Sequence, residues 1–167
     1  MYFSGFSLKD EERLFQEYII KNNYTVSGFS YGAIKAFEYV LETENRVDLL
    51  QLFSPAFFND KDKKYKRLQL MFFKKDSEKY CDNFLKNCGF DKQKKDQYFS
   101  IGNYEELEKL LYYTWDKNKL DQLKNKGTKL EVYIGSEDKI INPIKTLEFF
   151  KPYGDVYFIK YKTHILN

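Results

Sequence analysis

The stretch Val26–Ala33, VSGFSYGA, joins a predicted strand to a predicted helix, and the rest of the sequence is interpreted from it. Gly28 and Gly32 lie two residues before and two residues after Ser30, which is the Gly-x-Ser-x-Gly spacing of a nucleophilic serine on a sharp turn. Small residues are needed at both positions because the serine on such a turn adopts a strained backbone conformation. A tight glycine turn with a buried serine has the same pattern, so the interpretation depends on residues elsewhere in the chain.

Four further apolar segments are also typical of strands, and helical periodicity recurs between them. Repeated strand–helix–strand units predict an α/β fold with a mainly parallel five-stranded sheet. The strands are expected at Met1–Gly5, Tyr24–Phe29, Val47–Phe53, Lys129–Ile134 and Asp155–Lys160. The helices between them are expected at Leu8–Lys21, at Tyr31–Glu42, and from Asn142–Pro143 to a stop at Pro152–Gly154.

Residues 55–115 interrupt this alternation and are predicted to form a helical lid insertion between the two parts of the core, residues 1–54 and 116–167. If the strands follow chain order and every crossover is right-handed, the crossover helices share one face of the sheet. The other face then requires a cover from the insertion or from a second subunit in a homodimer. The helices of this region are expected at Lys63–Lys74, Ser77–Cys88, Tyr104–Trp115 and Lys117–Lys126, the last leading back into the sheet.

The composition limits the class of protein. Of 167 residues, 43% are hydrophobic and 19% are aromatic, which predicts one folded domain rather than a disordered chain. The N-terminus lacks the regions of a signal peptide, and no run of about eighteen apolar residues occurs. We therefore expect a soluble cytoplasmic protein without membrane contact.

The cysteines and the single histidine argue against a metal site. Cys81 and Cys88 are seven residues apart on one face of a predicted helix, so we expect them to be reduced and structural. With one histidine and no Cys-x-x-Cys pair, a zinc site would consist almost wholly of carboxylates, which is unusual for that metal. We expect neither a metal nor a cofactor.

A serine nucleophile needs a base and an acid, and the order of residues along the chain supplies both. His164 follows the last predicted strand, and Glu137 and Asp138 follow the strand before it. Serine, acid and histidine in this order are typical of one large class of hydrolases. The imidazole takes the serine proton, and the carboxylate holds the imidazole in the required tautomer. We therefore predict that Ser30, His164 and one of the two acids act together.

Such a site also needs two backbone N–H groups that stabilise the negative oxygen formed on the attacked carbonyl group. Tyr31, the residue after the nucleophile, is expected to supply one of them. The loop after the first strand, Ser4–Phe6, is expected to supply the other through the Phe6 N–H. An ordinary loop is also compatible with these three residues.

Together, these features resemble the α/β-hydrolases, and four segments are similar to one group of them. The group is the short pimeloyl-acyl carrier protein methyl ester esterases of the BioV type. The segments are VSGFSYGAIKA (Val26–Ala36), YKRLQL (Tyr65–Leu70), KDSEKYCDNF (Lys75–Phe84) and EVYIG (Glu131–Gly135).

The resemblance implies a truncated α/β-hydrolase with a lid. It implies release of methanol from the methyl ester of pimeloyl-acyl carrier protein, a step in biotin biosynthesis. It also implies that Asp138 completes the triad with Ser30 and His164, since Gly-x-x-Asp followed by a proline is the usual family spacing. Glu137 is the alternative acid.

The lid is strongly basic at its start, where seven basic residues stand against Asp62 alone. Because acyl carrier proteins are acidic, this surface would attract the carrier of the substrate. A solvated lysine-rich face has the same composition. Nucleic acid is not an expected partner, since the net charge is only +3 and the aromatic residues recur at core spacing. The seven are Lys61, Lys63, Lys64, Lys66, Arg67, Lys74 and Lys75.

Two other functions are compatible with the sequence. A general short-chain carboxylesterase or an acyl-protein thioesterase would use the same triad. A non-catalytic binding module would keep the fold without using the serine.

Overall fold

The computed structural model describes residues 1–167 and contains one sheet of five strands. The strands are hydrogen-bonded in chain order, and every neighbouring pair is parallel. The predicted five-stranded parallel sheet is therefore confirmed. Its strands are β1 Tyr2–Phe3, β2 Thr25–Phe29, β3 Leu49–Phe53, β4 Lys129–Gly135 and β5 Asp155–Ile159.

Seven α-helices accompany the sheet, and most begin where the sequence predicts. Asp or Asn precedes six of them and accepts a backbone N–H of the first turn, which satisfies a donor that has no intrahelical partner. None of the helices is both long enough and apolar enough to cross a membrane. The helices are α1 Tyr31–Glu42, α2 Lys63–Lys75, α3 Ser77–Cys88, α4 Lys92–Tyr98, α5 Tyr104–Tyr112, α6 Lys117–Asn125 and α7 Pro143–Phe150.

Helix α4 has no counterpart among the predicted helices. Its sequence, KQKKDQY, contains one aromatic residue and no apolar repeat, and only Tyr98 is buried. An apolar repeat is the main sequence signal for a helix. Because this segment has no such repeat, its sequence does not predict a helix. It is helical because Asp91 caps its first turn and Tyr98 packs against the sheet.

The predicted helix at Leu8–Lys21 is wrong, because only a short 3-10 helix forms, at Glu11–Phe15. After it, the Tyr18 and Ile19 N–H groups both donate to the Phe15 carbonyl oxygen, and the chain then bonds to β3. Gln51 on β3 accepts the Ile20 N–H at 2.8 Å and donates to the Tyr18 carbonyl oxygen at 3.0 Å. These tertiary hydrogen bonds replace the intrahelical ones that the periodicity of the segment suggested.

Three crossover helices, α1, α6 and α7, pack on one face of the sheet. Alternate strand residues such as Leu50, Leu52 and Val132 face them and are fully buried. Phe37 of α1 and Phe150 of α7 both pack against Trp115 in the same core.

The other face is covered by the chain itself. Phe15 lies 4.9 Å from the Phe29 ring and 4.8 Å from the Phe53 ring, so the connection between β1 and β2 lies on this face. That connection and α1 advance across the sheet in the same direction but on opposite faces, so their hands differ. A common hand for all crossovers is therefore not observed. The insertion completes the cover with Leu85, Cys88, Phe90 and Tyr98.

This arrangement buries the central strands without a second subunit. Gln51, Glu131 and Tyr133 form a buried hydrogen-bonded group on the same face, with the Tyr133 hydroxyl 2.9 Å from Glu131 Oε2. Tyr157, which stacks on Tyr133, stays 43% exposed near the β5 edge. The homodimer stays a prediction.

We expect Phe15→Ala to lower the free energy of unfolding by about 3–5 kcal/mol, because it removes a ring that fills the space between two buried rings. For a chain of this size that corresponds to a fall in the melting temperature of roughly 6 to 20 °C. Thermal unfolding followed by circular dichroism measures it. Ile20→Ala is the control, because Ile20 lies in the same connection and is 46% exposed. Equal melting temperatures for the two variants would show that Phe15 does not anchor this connection.

Candidate active site

Three predicted residues meet at the carboxyl edge of the sheet. Ser30 follows β2, Asp138 follows β4 and His164 follows β5, and parallel strands end at the same edge. His164 Nε2 lies 3.1 Å from Ser30 Oγ, and His164 Nδ1 lies 2.6 Å from Asp138 Oδ2. The alternative acid, Glu137, is exposed and does not contact the histidine. The structure therefore brings Ser30, His164 and Asp138 together.

The backbone at Ser30 is strained, with φ 52° and ψ −111°. The Ser30 N–H donates to the Phe53 carbonyl oxygen at 2.9 Å, which ties the turn to β3. A side chain on Gly28 would place its Cβ 2.3 Å from the Gly32 carbonyl oxygen, and one on Gly32 would come within 1.9 Å of the Phe3 carbonyl oxygen. Both glycines are thus required by close backbone approach.

Asp138 is held by its own loop. Its Oδ1 accepts the N–H groups of Ile140 at 2.8 Å and Ile141 at 3.1 Å, while Oδ2 faces His164. The carboxylate is fully buried, and hydrogen bonds to both oxygens offset the cost of removing its charge from water. With one oxygen fixed by two N–H groups, the other is free to orient the imidazole.

The histidine loop is fixed from two sides. On the core side, the Glu137 N–H donates to the Lys162 carbonyl oxygen at 2.9 Å, and a Cβ on Gly135 would lie 2.3 Å from the same oxygen. On the insertion side, the Ile165 N–H donates to the Cys88 carbonyl oxygen at 3.2 Å. The end of α3 therefore supports the segment that carries His164.

The two candidate oxyanion donors lie on adjoining loops. Tyr31 is the first residue of α1, and Phe6 lies in the loop after β1. Neither backbone N–H donates to a side chain or to a carbonyl oxygen of a loop or turn. A Cβ on Gly32 would lie 2.6 Å from the Ser4 carbonyl oxygen, so the Ser30 turn and the Ser4–Phe6 loop are in direct contact. Neither N–H group is therefore committed to an acceptor within the chain.

A mainly apolar cleft of about 260 Å³ lies between α2, α3 and α5. Ile140, two residues after Asp138, forms part of its wall, and so do Phe58, Phe84 and Leu107. Ser30 itself is only 2% exposed. No group of three or more His, Cys, Asp or Glu side chains converges on a metal-sized site.

The basic residues of the lid divide into two groups. Lys61, Lys66 and Lys74 lie over the rings of Tyr65, Tyr112 and Tyr104, respectively. Lys66 is buried, and burial lowers its pKa, so it does not present a charge to solvent as the sequence suggested. The other four are exposed and form no ion pair within 4.0 Å: Lys63, Lys64, Arg67 and Lys75.

One buried acid near the loop after β1 is not evident from the sequence. Glu11 is fully buried and accepts the Gly5 N–H, although Asp10-Glu11-Glu12 reads as a solvated first turn. No local signal separates Glu11 from its neighbours.

The two cysteines, Cys81 and Cys88, are free and buried, as expected, and burial raises the pKa of both thiols.

Comparisons with known proteins find similarity in structure only. No family model matches the chain, and no curated protein matches it. A carboxylesterase from Nitrososphaera gargenis superposes with a TM-score of 0.60 at 20% identity, over 93% of this chain and 62% of that one. BioG from Haemophilus influenzae superposes with a TM-score of 0.62 at 14% identity, over 99% and 87%. MenH from S. aureus superposes with a TM-score of 0.59 at 12% identity, over 98% and 85%.

The chain thus spans less than two thirds of the carboxylesterase and most of the other two proteins. At these identities the similarity concerns the fold. Together with the sheet topology and the strained Ser30 turn, it identifies a small α/β-hydrolase fold, as the sequence predicted.

We expect Gly32→Ala to lower the free energy of unfolding by about 3 kcal/mol, because the new methyl group must displace the backbone of β1 and its loop. Denaturant unfolding measures the loss. Gly127→Ala is the matched control: it meets no atom within 4 Å, and only its positive φ of 77° opposes the change. That strain costs about 1–2 kcal/mol. An equal or smaller loss at Gly32 would contradict the close approach.

Proposed function

We propose that the chain is a serine carboxylesterase that hydrolyses the methyl ester of a pimeloyl group carried on acyl carrier protein, with release of methanol, in biotin biosynthesis. The observation that carries the proposal is the His164 ring, which lies between Ser30 Oγ and Asp138 Oδ2 at hydrogen-bonding distance from both. This arrangement, with the Tyr31 N–H at the strained turn and the Phe6 N–H on the adjoining loop, suits acyl transfer through a serine.

The proposed reaction has two halves. His164 Nε2 takes the Ser30 proton while Ser30 Oγ attacks the ester carbonyl carbon. The N–H groups of Tyr31 and Phe6 stabilise the tetrahedral oxyanion. Methanol then leaves with the proton from His164, and an acyl-enzyme forms. Water adds to the acyl-enzyme in the same way, with His164 as base, and releases the free carboxylic acid.

Asp138 and the burial of the site support the electrostatics of these steps. The Asp138 carboxylate accepts the Nδ1–H of His164 and stabilises the imidazolium that forms. Because Ser30 and His164 are shielded from water, hydrogen bonds to the oxyanion act in a medium of low dielectric constant. The same burial requires side chains around Ser30 to move before an ester reaches its Oγ.

The lid is the surface that would bind the acyl carrier protein. Helix α2 exposes Lys64, Arg67 and Lys75 together with Met71 and Phe72, which are 62% and 55% exposed. A face that combines unpaired cations with apolar side chains suits an acidic partner that also buries apolar surface. Phe72 also lines the apolar cleft, so a carrier bound here would present its acyl chain near the cleft mouth. The pimeloyl methyl ester itself follows from the resemblance to the BioV type.

Purified protein should hydrolyse the carrier-bound pimeloyl methyl ester, and Ser30→Ala should lose at least about 10³-fold in kcat. Methanol release and mass spectrometry of the carrier measure the reaction. Free short-chain methyl esters should react with lower kcat/KM, because they make no contact with α2.

Other outcomes select the alternatives. Equal kcat/KM for free and carrier-bound esters indicates a general carboxylesterase, and faster cleavage of the carrier thioester indicates a thioesterase. A folded protein whose Ser30 is not labelled by a fluorophosphonate indicates a non-catalytic module.

The double variant Lys64→Glu and Arg67→Glu should raise the KM for the carrier-bound ester about tenfold at low salt and leave small esters unaffected. The difference should shrink as salt rises, because the charges are exposed. Lys124→Glu with Lys151→Glu is the matched control, since both lysines are exposed and unpaired, Lys124 lies on α6 and Lys151 directly follows α7. Equal changes in KM for both double variants, or for both kinds of ester, would refute docking on α2.

A further inference from the structure

Glu11 is a fully buried acid outside the triad, and its hydrogen bonds are to β1 and to the loop after it. Its Oε1 accepts the Gly5 N–H at 2.7 Å and the Tyr2 hydroxyl at 3.0 Å, while Oε2 is buried without a partner. No lysine or arginine lies within 4.0 Å of it. Burial, and then the neighbouring Glu11 carboxylate, raise the pKa of Tyr2, so the Tyr2 hydroxyl remains a donor.

The Gly5 N–H belongs to the peptide group that precedes the candidate oxyanion donor. The carbonyl oxygen of that same peptide group, on Ser4, is in close contact with Gly32 of the Ser30 turn. In a trans peptide the C=O and N–H point in opposite directions. The group is therefore clamped, with Gly32 against its carbonyl end and Glu11 against its N–H end.

The next peptide group carries the Phe6 N–H. The residue on its C-terminal side is fixed, because the centroid of the Phe6 ring lies 6.0 Å from that of Phe73 and 5.9 Å from that of Phe84. Between the two peptide groups stands Gly5, and glycine has the widest backbone freedom of any residue. Without an anchor on its own N–H, Gly5 would let the Phe6 N–H reorient.

We infer that Glu11 is a positioning residue for the oxyanion hole: its carboxylate holds the Gly5 N–H so that the Phe6 N–H stays directed toward the reacting carbonyl. The inference rests on the proposed function, because it assigns a role within the same site. Oxyanion donors contribute to catalysis only when they are aligned before the charge develops. The hydrogen bond from Gly5 to an ionised acceptor is roughly twice as strong as one to a neutral acceptor.

A structural role and a positioning role predict different outcomes. An apolar side chain of similar length removes a buried carboxylate that has no cation, but it leaves the Gly5 N–H and the Tyr2 hydroxyl without their acceptor. The effect on stability is the balance of these two changes, whereas the positioning role also predicts a loss of kcat through the Phe6 N–H. Melting temperature and kcat therefore separate the two roles.

The test uses Glu11→Met and Glu11→Gln in the full chain with a small aryl ester. Glu11→Met should lower kcat at least about tenfold and leave KM within about twofold. Removing an oxyanion donor outright lowers kcat by about 10²–10³-fold, and a misaligned donor should lose part of that effect. The same variant should weaken inhibition by an alkyl trifluoromethyl ketone, whose serine adduct carries an oxyanion, by a similar factor. Glu11→Gln, which keeps a neutral acceptor, should lose about threefold in both measurements. Glu12→Met is the control, since Glu12 lies on the same 3-10 helix and pairs with Lys21 at the surface.

A Glu11→Met protein that keeps its kcat and its ketone affinity overturns the inference, whatever its melting temperature. If that variant does not fold, Glu11→Gln decides, and wild-type values for both measurements overturn the inference. Failure of the proposed function is a separate result: the wild-type protein itself would then neither hydrolyse the ester nor be labelled at Ser30 by a fluorophosphonate.

Discussion

The close approach of the Ser30 turn to the end of β1 is the constraint on which the rest of the site depends. Gly32 is packed so tightly against the carbonyl oxygens of Phe3 and Ser4 that no side chain fits there. This contact brings the Ser30 turn, which carries the Tyr31 N–H, against the loop that carries Phe6. Without it, a strained serine would still lie at the sheet edge, but the loop that carries the Phe6 N–H would have no fixed position.

Buried carboxylates then hold the loops that the strands leave at this edge. Asp138 uses one oxygen for two N–H groups of its own loop and the other for His164. Glu11 bonds the Gly5 N–H in the loop after β1. In both cases an ionised acceptor fixes backbone that has no strand or helix partner, and low local polarity strengthens the bond. The geometry of the site therefore comes from side-chain-to-backbone bonds as much as from the sheet.

The helices of the insertion have different roles. The middle part, α3 and α4, closes the face of the sheet opposite the crossover helices and supports the segment carrying His164 through the Cys88 carbonyl oxygen. The Ser7 carbonyl oxygen and the Lys9 N–H bond to residues 98–100, at and just after the end of α4. Helix α2, in contrast, exposes a cationic and apolar face. Motion that admits substrate is therefore expected at α2 rather than at α3 and α4, whose displacement would disturb the histidine.

The sequence by itself determined the parallel sheet, most helix starts, and Ser30 and His164 as candidate site residues. These depend on apolar runs, capping residues, a serine between two glycines and the position of one histidine after the last strand. For the acid, the family resemblance favoured Asp138 and left Glu137 as the alternative, and the contact with His164 selects Asp138. Only the tertiary structure decided that Leu8–Lys21 is not a helix, that Lys66 turns inward, and that Glu11 is buried. Each of those outcomes depends on a partner far along the chain, such as Gln51 for the Ile20 N–H or Tyr112 for Lys66. Periodicity and charge describe a segment's own preferences, and a long-range hydrogen bond or ring contact overrides them when it satisfies buried groups better.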